Sequence, residues 1–135
     1  MTLAYLDANI FVYSSVDQGG KGTKCRSIIR DVEQGSLQAA TSSLTFDEIV
    51  WVVKKLKGRQ AAFEAGKVFL NISGLKLVEV NIDTLNSALN LMNEYDLESR
   101  DSIHAATALL VGADYFVSDD GDFDKLQHRL KRKAI

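Results

Sequence analysis

The sequence predicts an α/β fold in which a parallel sheet lies between helices. Short apolar runs alternate with longer segments whose apolar residues recur at helical spacing, a pattern typical of parallel sheets covered on both faces. The chain has 135 residues, 46% of them hydrophobic, which suits one domain over residues 1–135. Four strands and a weak fifth are expected, over 3–6, 37–41, 75–80, 115–118 and within 129–135.

Helices are expected in the segments between these strands. Their starts and ends are marked by glycines and by residues that cap helices. The expected helices lie directly after Asp7, between a glycine-rich loop over 17–22 and Gly35, from one of Ser42, Ser43 and Thr45 to Gly58, over about 60–72, from Asn81 or Asp83 onward, from a cap at Ser99 to Gly112, and over 123–126.

The composition excludes some classes of protein. Lys and Arg number 16 against 18 Asp and Glu, a net charge of −2, so a generally basic surface for nucleic acid is not expected. The single cysteine cannot form an internal disulfide, which fits a cytoplasmic location. Neither a signal-peptide pattern nor an apolar run of about 20 residues is seen.

Two basic clusters fit either phosphate binding or a solvated surface. They are Lys54, Lys55, Lys57 and Arg59, and His128, Arg129, Lys131, Arg132 and Lys133.

Asp7 is the first candidate site residue. It follows the apolar residues 3–6 at the point where the first strand would end. In open α/β sheets, ligands bind beyond the carboxyl ends of the strands, so a carboxylate at this position could serve a site. It could equally do no more than cap the next helix.

Glu48 is the second candidate. At helical spacing it shares a face with Leu44 and Val52, and a charge on an apolar face is costly unless it is paired or bound to metal. A capping box that starts at Thr45 would also explain this glutamate, provided that the helix does not begin at one of the earlier serines.

Asp101 is the third candidate. With Ser99 as the cap, Asp101 lies in the first turn of a helix, where the helix dipole favours a negative charge whatever the function. It shares a face with Ala105 and Ala108, small residues that would let the helix lie close to the sheet and carry the carboxylate inward. His104 could orient a ligand, although a lone histidine is more often a packed or surface residue.

The turn 118–122, Ser-Asp-Asp-Gly-Asp, supplies the remaining carboxylates. Such turns are often only solvated, and the pattern of an EF-hand calcium loop is missing. Because the turn follows the fourth strand as Asp7 follows the first, both would open on the same edge of the sheet. Oxygen-rich sites of this kind select Mg²⁺ or Mn²⁺ over zinc, and such ions activate water for attack on phosphate.

Four stretches stand in order along nearly the whole chain. They are Leu6-Asp7-Ala-Asn9-Ile-Phe-Val-Tyr13, Phe46-Asp-Glu48-Ile-Val, Arg100-Asp101-Ser-Ile-His-Ala-Ala-Thr-Ala and Val117-Ser118-Asp119-Asp120-Gly-Asp122-Phe123-Asp124. Together they resemble the motifs of PIN-domain ribonucleases, and in particular of VapC-type toxins of toxin–antitoxin pairs.

The resemblance implies a three-layer α/β/α PIN-like fold with a central parallel sheet of about five strands, and a Mg²⁺- or Mn²⁺-dependent endoribonuclease acting on RNA. Carried over by position, the catalytic metal ligands would be Asp7, Glu48, Asp101 and Asp120, supported by Asn9, Ser118, Asp119 and Asp122. Either of the two other acids in the turn could replace or assist Asp120. The resemblance also implies a small antitoxin partner and a homodimer, for which apolar surface could come from three residues that fit the core equally well, Trp51, Phe63 and Phe69.

Two other functions remain open. An aspartate-nucleophile phosphatase also has a catalytic Asp after its first strand, but usually has a second Asp where this chain has Asn9, and a downstream lysine. A receiver-like interaction domain could bind Mg²⁺ and a partner through the same pocket without catalysis, but it has no need of Glu48 and Asp101. Glycine-rich nucleotide-binding, serine-nucleophile and paired-cysteine zinc motifs are not found.

Overall fold

The computed structural model describes residues 2–135 and contains the five expected strands. They are β1 (Ala4–Leu6), β2 (Ala39–Ser42), β3 (Leu75–Val78), β4 (Tyr115–Val117) and β5 (Lys131–Lys133). They form one sheet in the order β3-β2-β1-β4-β5, and every neighbouring pair is parallel. The predicted parallel sheet, with its weak fifth strand, is therefore confirmed.

Six α-helices and a 3₁₀ helix connect the strands of residues 2–135. They are α1 (Ala8–Val16), α2 (Gly20–Glu33), α3 (Leu44–Lys57), α4 (Arg59–Leu70), α5 (Ile82–Tyr95), α6 (Ser99–Leu110) and the 3₁₀ helix Gly121–Leu126. Each lies close to its predicted range. No helix of the described chain is long and apolar enough to cross a membrane.

The starts of two α-helices differ from the predictions, and the 3₁₀ helix begins at Gly121, two residues before its predicted start. The loop expected over 17–22 is wrong in its second half, because α2 already begins at Gly20. The Asp17 carboxylate accepts a hydrogen bond from the Gly22 amide at 2.6 Å, which satisfies a backbone donor in the first turn. The expected cap at Ser99 is also wrong. Glu98 is the N-cap, with extended backbone, and Ser99 is the first helical residue.

Helices cover both faces of the sheet and give three layers. Ala4 and Leu6 of β1 pack in a core with residues of α1, α2, α3 and α4, whereas Tyr5 packs on the other face with residues of α5 and α6. This alternation follows from the two-residue period of a strand. Cys25 is fully buried in the first of these cores.

The central position of β1 determines where the candidate site lies. β1 pairs with β4 in a register that places Leu6 beside Val117, and the Asp7 amide donates to the Val117 carbonyl at 3.0 Å. The residues that follow the two strands therefore meet at one edge of the sheet, as the sequence predicts.

The two glycines near the start of α2 should respond differently to substitution by alanine. A Cβ on Gly22 would collide with the backbone carbonyl of Asp17, whereas a Cβ on Gly20 would meet no atom within 4 Å. We expect Gly22→Ala to lower the free energy of unfolding by about 2 kcal/mol, and Gly20→Ala to leave it unchanged or raise it slightly. Urea denaturation compares the variants, and equal stability of the two would contradict the expected collision.

Candidate active site

Asp7 lies at the carboxyl end of β1 with both carboxylate oxygens bonded. Oδ1 accepts from the Ala8 amide at 2.8 Å and Oδ2 accepts from the Ser118 hydroxyl at 2.7 Å. Asp7 therefore caps α1 and also lies at the sheet edge, so the two roles considered for it are compatible. Only 7% of the residue is exposed. Burial raises its pKa, although His104, Ser118 and the Ala8 amide favour the charged form.

Ser118 connects the first and last motifs. Besides donating to Asp7, its buried hydroxyl accepts from Asn9 Nδ2 at 3.3 Å and from the Asp120 amide at 3.0 Å. Hydrogen bonds through Ser118 thus connect Asn9, Asp7 and Asp120. Asn9 Oδ1 is buried and has no hydrogen-bond partner within residues 2–135, so this oxygen is available to a ligand.

Three carboxylates converge beside this network. Oxygens of Asp101, Asp120 and Asp122 lie within 4.8 Å of one another. Asp101 is carried there by the first turn of α6, which lies against β2 and whose Ala105 and Ala108 are fully buried, as predicted. Burial, together with the negative charges of Asp120 and Asp7, raises the pKa of Asp101 to about 6.

Asp119 differs from the other acids of the turn. Its Oδ2 accepts from Lys21 Nζ at 2.6 Å and from the Tyr13 hydroxyl at 3.2 Å. The hydrogen bond from Lys21 holds the pKa of this partly exposed carboxyl below its usual range. The structure therefore groups Asp120 and Asp122 with Asp101, and pairs Asp119 with α2 instead.

Glu48 binds a side chain of α6. Its Oε2 lies 2.6 Å from His104 Nε2. The capping box considered for Glu48 is not formed, because α3 begins at Leu44, with Ser43 as its N-cap. Thr45, which would have been the cap, is buried, and its hydroxyl pairs with that of Thr41 at 2.8 Å.

The sequence predicts a ligand-orienting role for His104 only as the less frequent alternative to packing, but this histidine lies among the candidate site residues. It is 1% exposed, its Nδ1 lies 2.6 Å from the Tyr5 hydroxyl, and its Nε2 lies 3.8 Å from Asp7 Oδ1. Burial lowers its pKa, but the hydrogen bond to Glu48 and the charges of Asp7, Glu48 and Asp101 outweigh burial, so that the pKa stands above the ordinary value. The sequence feature that could have indicated a place in the site was the position of His104 one helical turn after Asp101, next to Ala105 and Ala108.

The predicted basic and apolar surfaces are only partly free. Arg132 is bound to Asp124 by two hydrogen bonds of 3.0 Å and to the Ser118 carbonyl. Phe69 is a core residue at 3% exposure, whereas Trp51 and Phe63 are 59% and 62% exposed. Two of the three aromatic residues proposed for a dimer interface therefore lie on the surface.

The raised pKa values of the site predict how the metal-free protein responds to pH. A carboxyl whose pKa is higher in the folded state, such as Asp101, stabilises the fold as pH falls through that pKa; a histidine with a raised pKa loses its contribution as pH rises through it. We therefore expect greater urea resistance at about pH 5.5 than at about pH 8. Asp101→Asn should flatten this dependence, and a slope of opposite sign would contradict the assignment.

The sequence also matches a known family model. The model that describes the PIN domain matches residues 4–129. The chain belongs to the PIN domain family. The match includes the three converging carboxylates, Asp7 and Glu48, so the site described above lies wholly within the PIN domain.

The fold of this PIN domain is similar to those of solved VapBC proteins. VapBC2 from Rickettsia felis, solved with a DNA fragment from its promoter, is 17% identical, with a TM-score of 0.76 over 98% of each chain. Mycobacterium tuberculosis VapC20, a toxin that cleaves the sarcin-ricin loop, is 16% identical, with a TM-score of 0.74 over 90% of this chain and 92% of that one. DNA-bound VapBC from Salmonella typhimurium is 14% identical, with a TM-score of 0.68 over 99% and 98%. No curated protein matches the sequence.

Proposed function

We propose that this PIN domain is a divalent-metal-dependent endoribonuclease that hydrolyses RNA phosphodiester bonds. The observation that carries the proposal is the convergence of Asp101, Asp120 and Asp122 within 4.8 Å, on the sheet edge that also holds Asp7. Carboxylates so close together repel one another and would repel a phosphate, and a bound cation resolves both conflicts.

The residues present fit Mg²⁺ or Mn²⁺. The donors are carboxylate oxygens, which these hard cations prefer, and the unpartnered oxygen of Asn9 adds a neutral one. The raised pKa of Asp101 reflects negative neighbours as well as burial, as expected where a cation belongs. A bound ion would supply Lewis-acid polarisation of the phosphate and an acidified water.

The side chains have distinct roles in this proposal. The metal would be held by Asp7, Glu48, Asp101 and Asp120, with Asp122 assisting. Ser118 keeps Asp7 in place through its hydrogen bond of 2.7 Å. The exposed cations of β5, Lys131 and Lys133, could bind RNA phosphates, whereas Arg132 is already bound to Asp124.

The biological setting we propose is a toxin–antitoxin pair. The support is the similarity of the fold, over nearly the full chain, to VapBC proteins and to a toxin that cleaves the sarcin-ricin loop. In this setting residues 1–135 form one nuclease domain that acts in the cytoplasm as a homodimer and is held inactive by a small antitoxin protein.

The test is cleavage of a mixed RNA pool by the purified protein with Mg²⁺, with Mn²⁺ and with EDTA. We expect cleavage with either ion and none with EDTA. Cleavage that persists in EDTA would contradict metal dependence. Formation of a stable phosphoryl adduct on Asp7 would favour the phosphatase instead.

A further inference from the structure

We propose that Tyr5 and His104 are positioning residues that fix Glu48 as a metal ligand, an inference that rests on the proposed metal-dependent function. The three side chains form a chain of hydrogen bonds from the core to α3. The Tyr5 hydroxyl lies 2.6 Å from His104 Nδ1, and His104 Nε2 lies 2.6 Å from Glu48 Oε2. Tyr5 and His104 are at most 1% exposed, whereas the Glu48 side chain is 18% exposed. The series of hydrogen bonds therefore runs from the buried Tyr5 to the more accessible Glu48.

The hydrogen bonds specify that the histidine nitrogen facing Glu48, Nε2, carries a proton. The Ser42 amide donates to the Tyr5 oxygen at 3.1 Å, which leaves the Tyr5 hydroxyl proton for His104 Nδ1. A neutral imidazole that accepts at Nδ1 carries its proton on Nε2, and a protonated imidazole carries one there as well. Nε2 therefore donates to Glu48 in either state, so the arrangement does not depend on the charge of His104.

This donation determines how Glu48 is presented. One of its oxygens is committed to His104, and Oε1 remains for a ligand. The same Nε2 lies 3.8 Å from Asp7 Oδ1, so the imidazole contacts both the carboxylate that follows β1 and the carboxylate of Glu48 on α3. A glutamate has three side-chain torsions, and without this partner it would move away from the other negative charges of the site. Partners of this kind typically change metal affinity about 10- to 100-fold.

Mn²⁺ affinity of the 135-residue chain tests the inference at a fixed pH, with free Mn²⁺ measured by electron paramagnetic resonance. We expect His104→Leu to weaken binding about 10- to 100-fold. His104→Gln, whose amide can donate to Glu48, should recover part of that loss. Tyr5→Phe, which removes only the hydroxyl, should weaken binding severalfold. The matched control is Tyr95→Phe, because the Tyr95 hydroxyl also pairs with a histidine, His128, at 3.0 Å on the exposed surface; it should bind Mn²⁺ as the wild type does.

Thermal unfolding without metal separates positioning from packing. If Tyr5→Phe and His104→Gln lower the unfolding midpoint but leave the Mn²⁺ dissociation constant unchanged, the two residues have a packing role and the inference is overturned. The proposed function would still stand in that case, provided that the wild-type protein binds Mn²⁺ and cleaves RNA. If His104→Leu does not fold, the Mn²⁺ dissociation constants of Tyr5→Phe and His104→Gln decide between positioning and packing. Absence of Mn²⁺ binding by the wild type would overturn the proposed function and this inference together.

Discussion

Asp101→Asn is expected to slow RNA cleavage by about three orders of magnitude, or about 4 kcal/mol of transition-state stabilisation, while the protein remains folded. Asparagine keeps the size of the side chain but removes the charge that a cation requires. Stability should not fall, because Asp101 is repelled by Asp120 and Asp7 and half-buried in a site that raises its pKa to about 6. Single-turnover cleavage with Mg²⁺ measures the rate, and circular dichroism checks the fold.

Asp47→Asn is the matched control for this substitution. Asp47 precedes Glu48 on α3, is exposed, and lies outside the group of converging carboxylates. The same change of charge should therefore leave the cleavage rate within about twofold of the wild type. Full activity of a folded Asp101→Asn variant would remove Asp101 from the proposed set of ligands.

Phe116→Ala should lower the free energy of unfolding by about 4 kcal/mol, a large loss for one side chain. Phe116 is 1% exposed. Its ring stacks on Tyr5, with centroids 5.0 Å apart, and lies 4.2 Å from the ring of Phe123. It therefore joins β1 and β4 to the 3₁₀ helix that carries Asp122, and its removal leaves a cavity where three elements meet.

Urea denaturation with linear extrapolation measures this loss. Phe63→Ala provides the comparison, because Phe63 is 62% exposed on α4 and its truncation should cost less than about 1 kcal/mol. Similar losses for the two variants would contradict the packing described for Phe116.

The sheet and the edge that carries the candidate site could be predicted because they depend on local patterns. β1 and β4 are short apolar runs, and a carboxylate directly after each is visible in the sequence. The order of the strands was not predicted, because it depends on contacts between distant segments. The predicted start of α2 was wrong for a local reason. In the first turn of this helix the Asp17 carboxylate, rather than a backbone carbonyl, accepts the hydrogen bond of the Gly22 amide.

The roles of individual acids and of His104 required the tertiary structure. Asp119 and Asp120 are neighbours in the same turn, but Asp119 binds Lys21, 98 residues away in sequence, whereas Asp120 lies beside Asp101. His104 lies 99 residues from Tyr5 and 56 from Glu48. A single sequence does not reveal such partners, so the general rule that lone histidines are packed residues described its burial but not its place in the site.

The pairing of β1 with β4 has a consequence for the growing polypeptide. Asp7 is held by Ser118, 111 residues further on, and Asp101 meets its partners only after the turn at Asp120 has been added. A nascent chain that ends at α6 has three of the candidate ligands but neither the strand that aligns Asp7 nor the turn that completes the cluster. The proposed metal site can therefore form only after β4 and the turn at Asp120 have been synthesised and β4 has paired with β1.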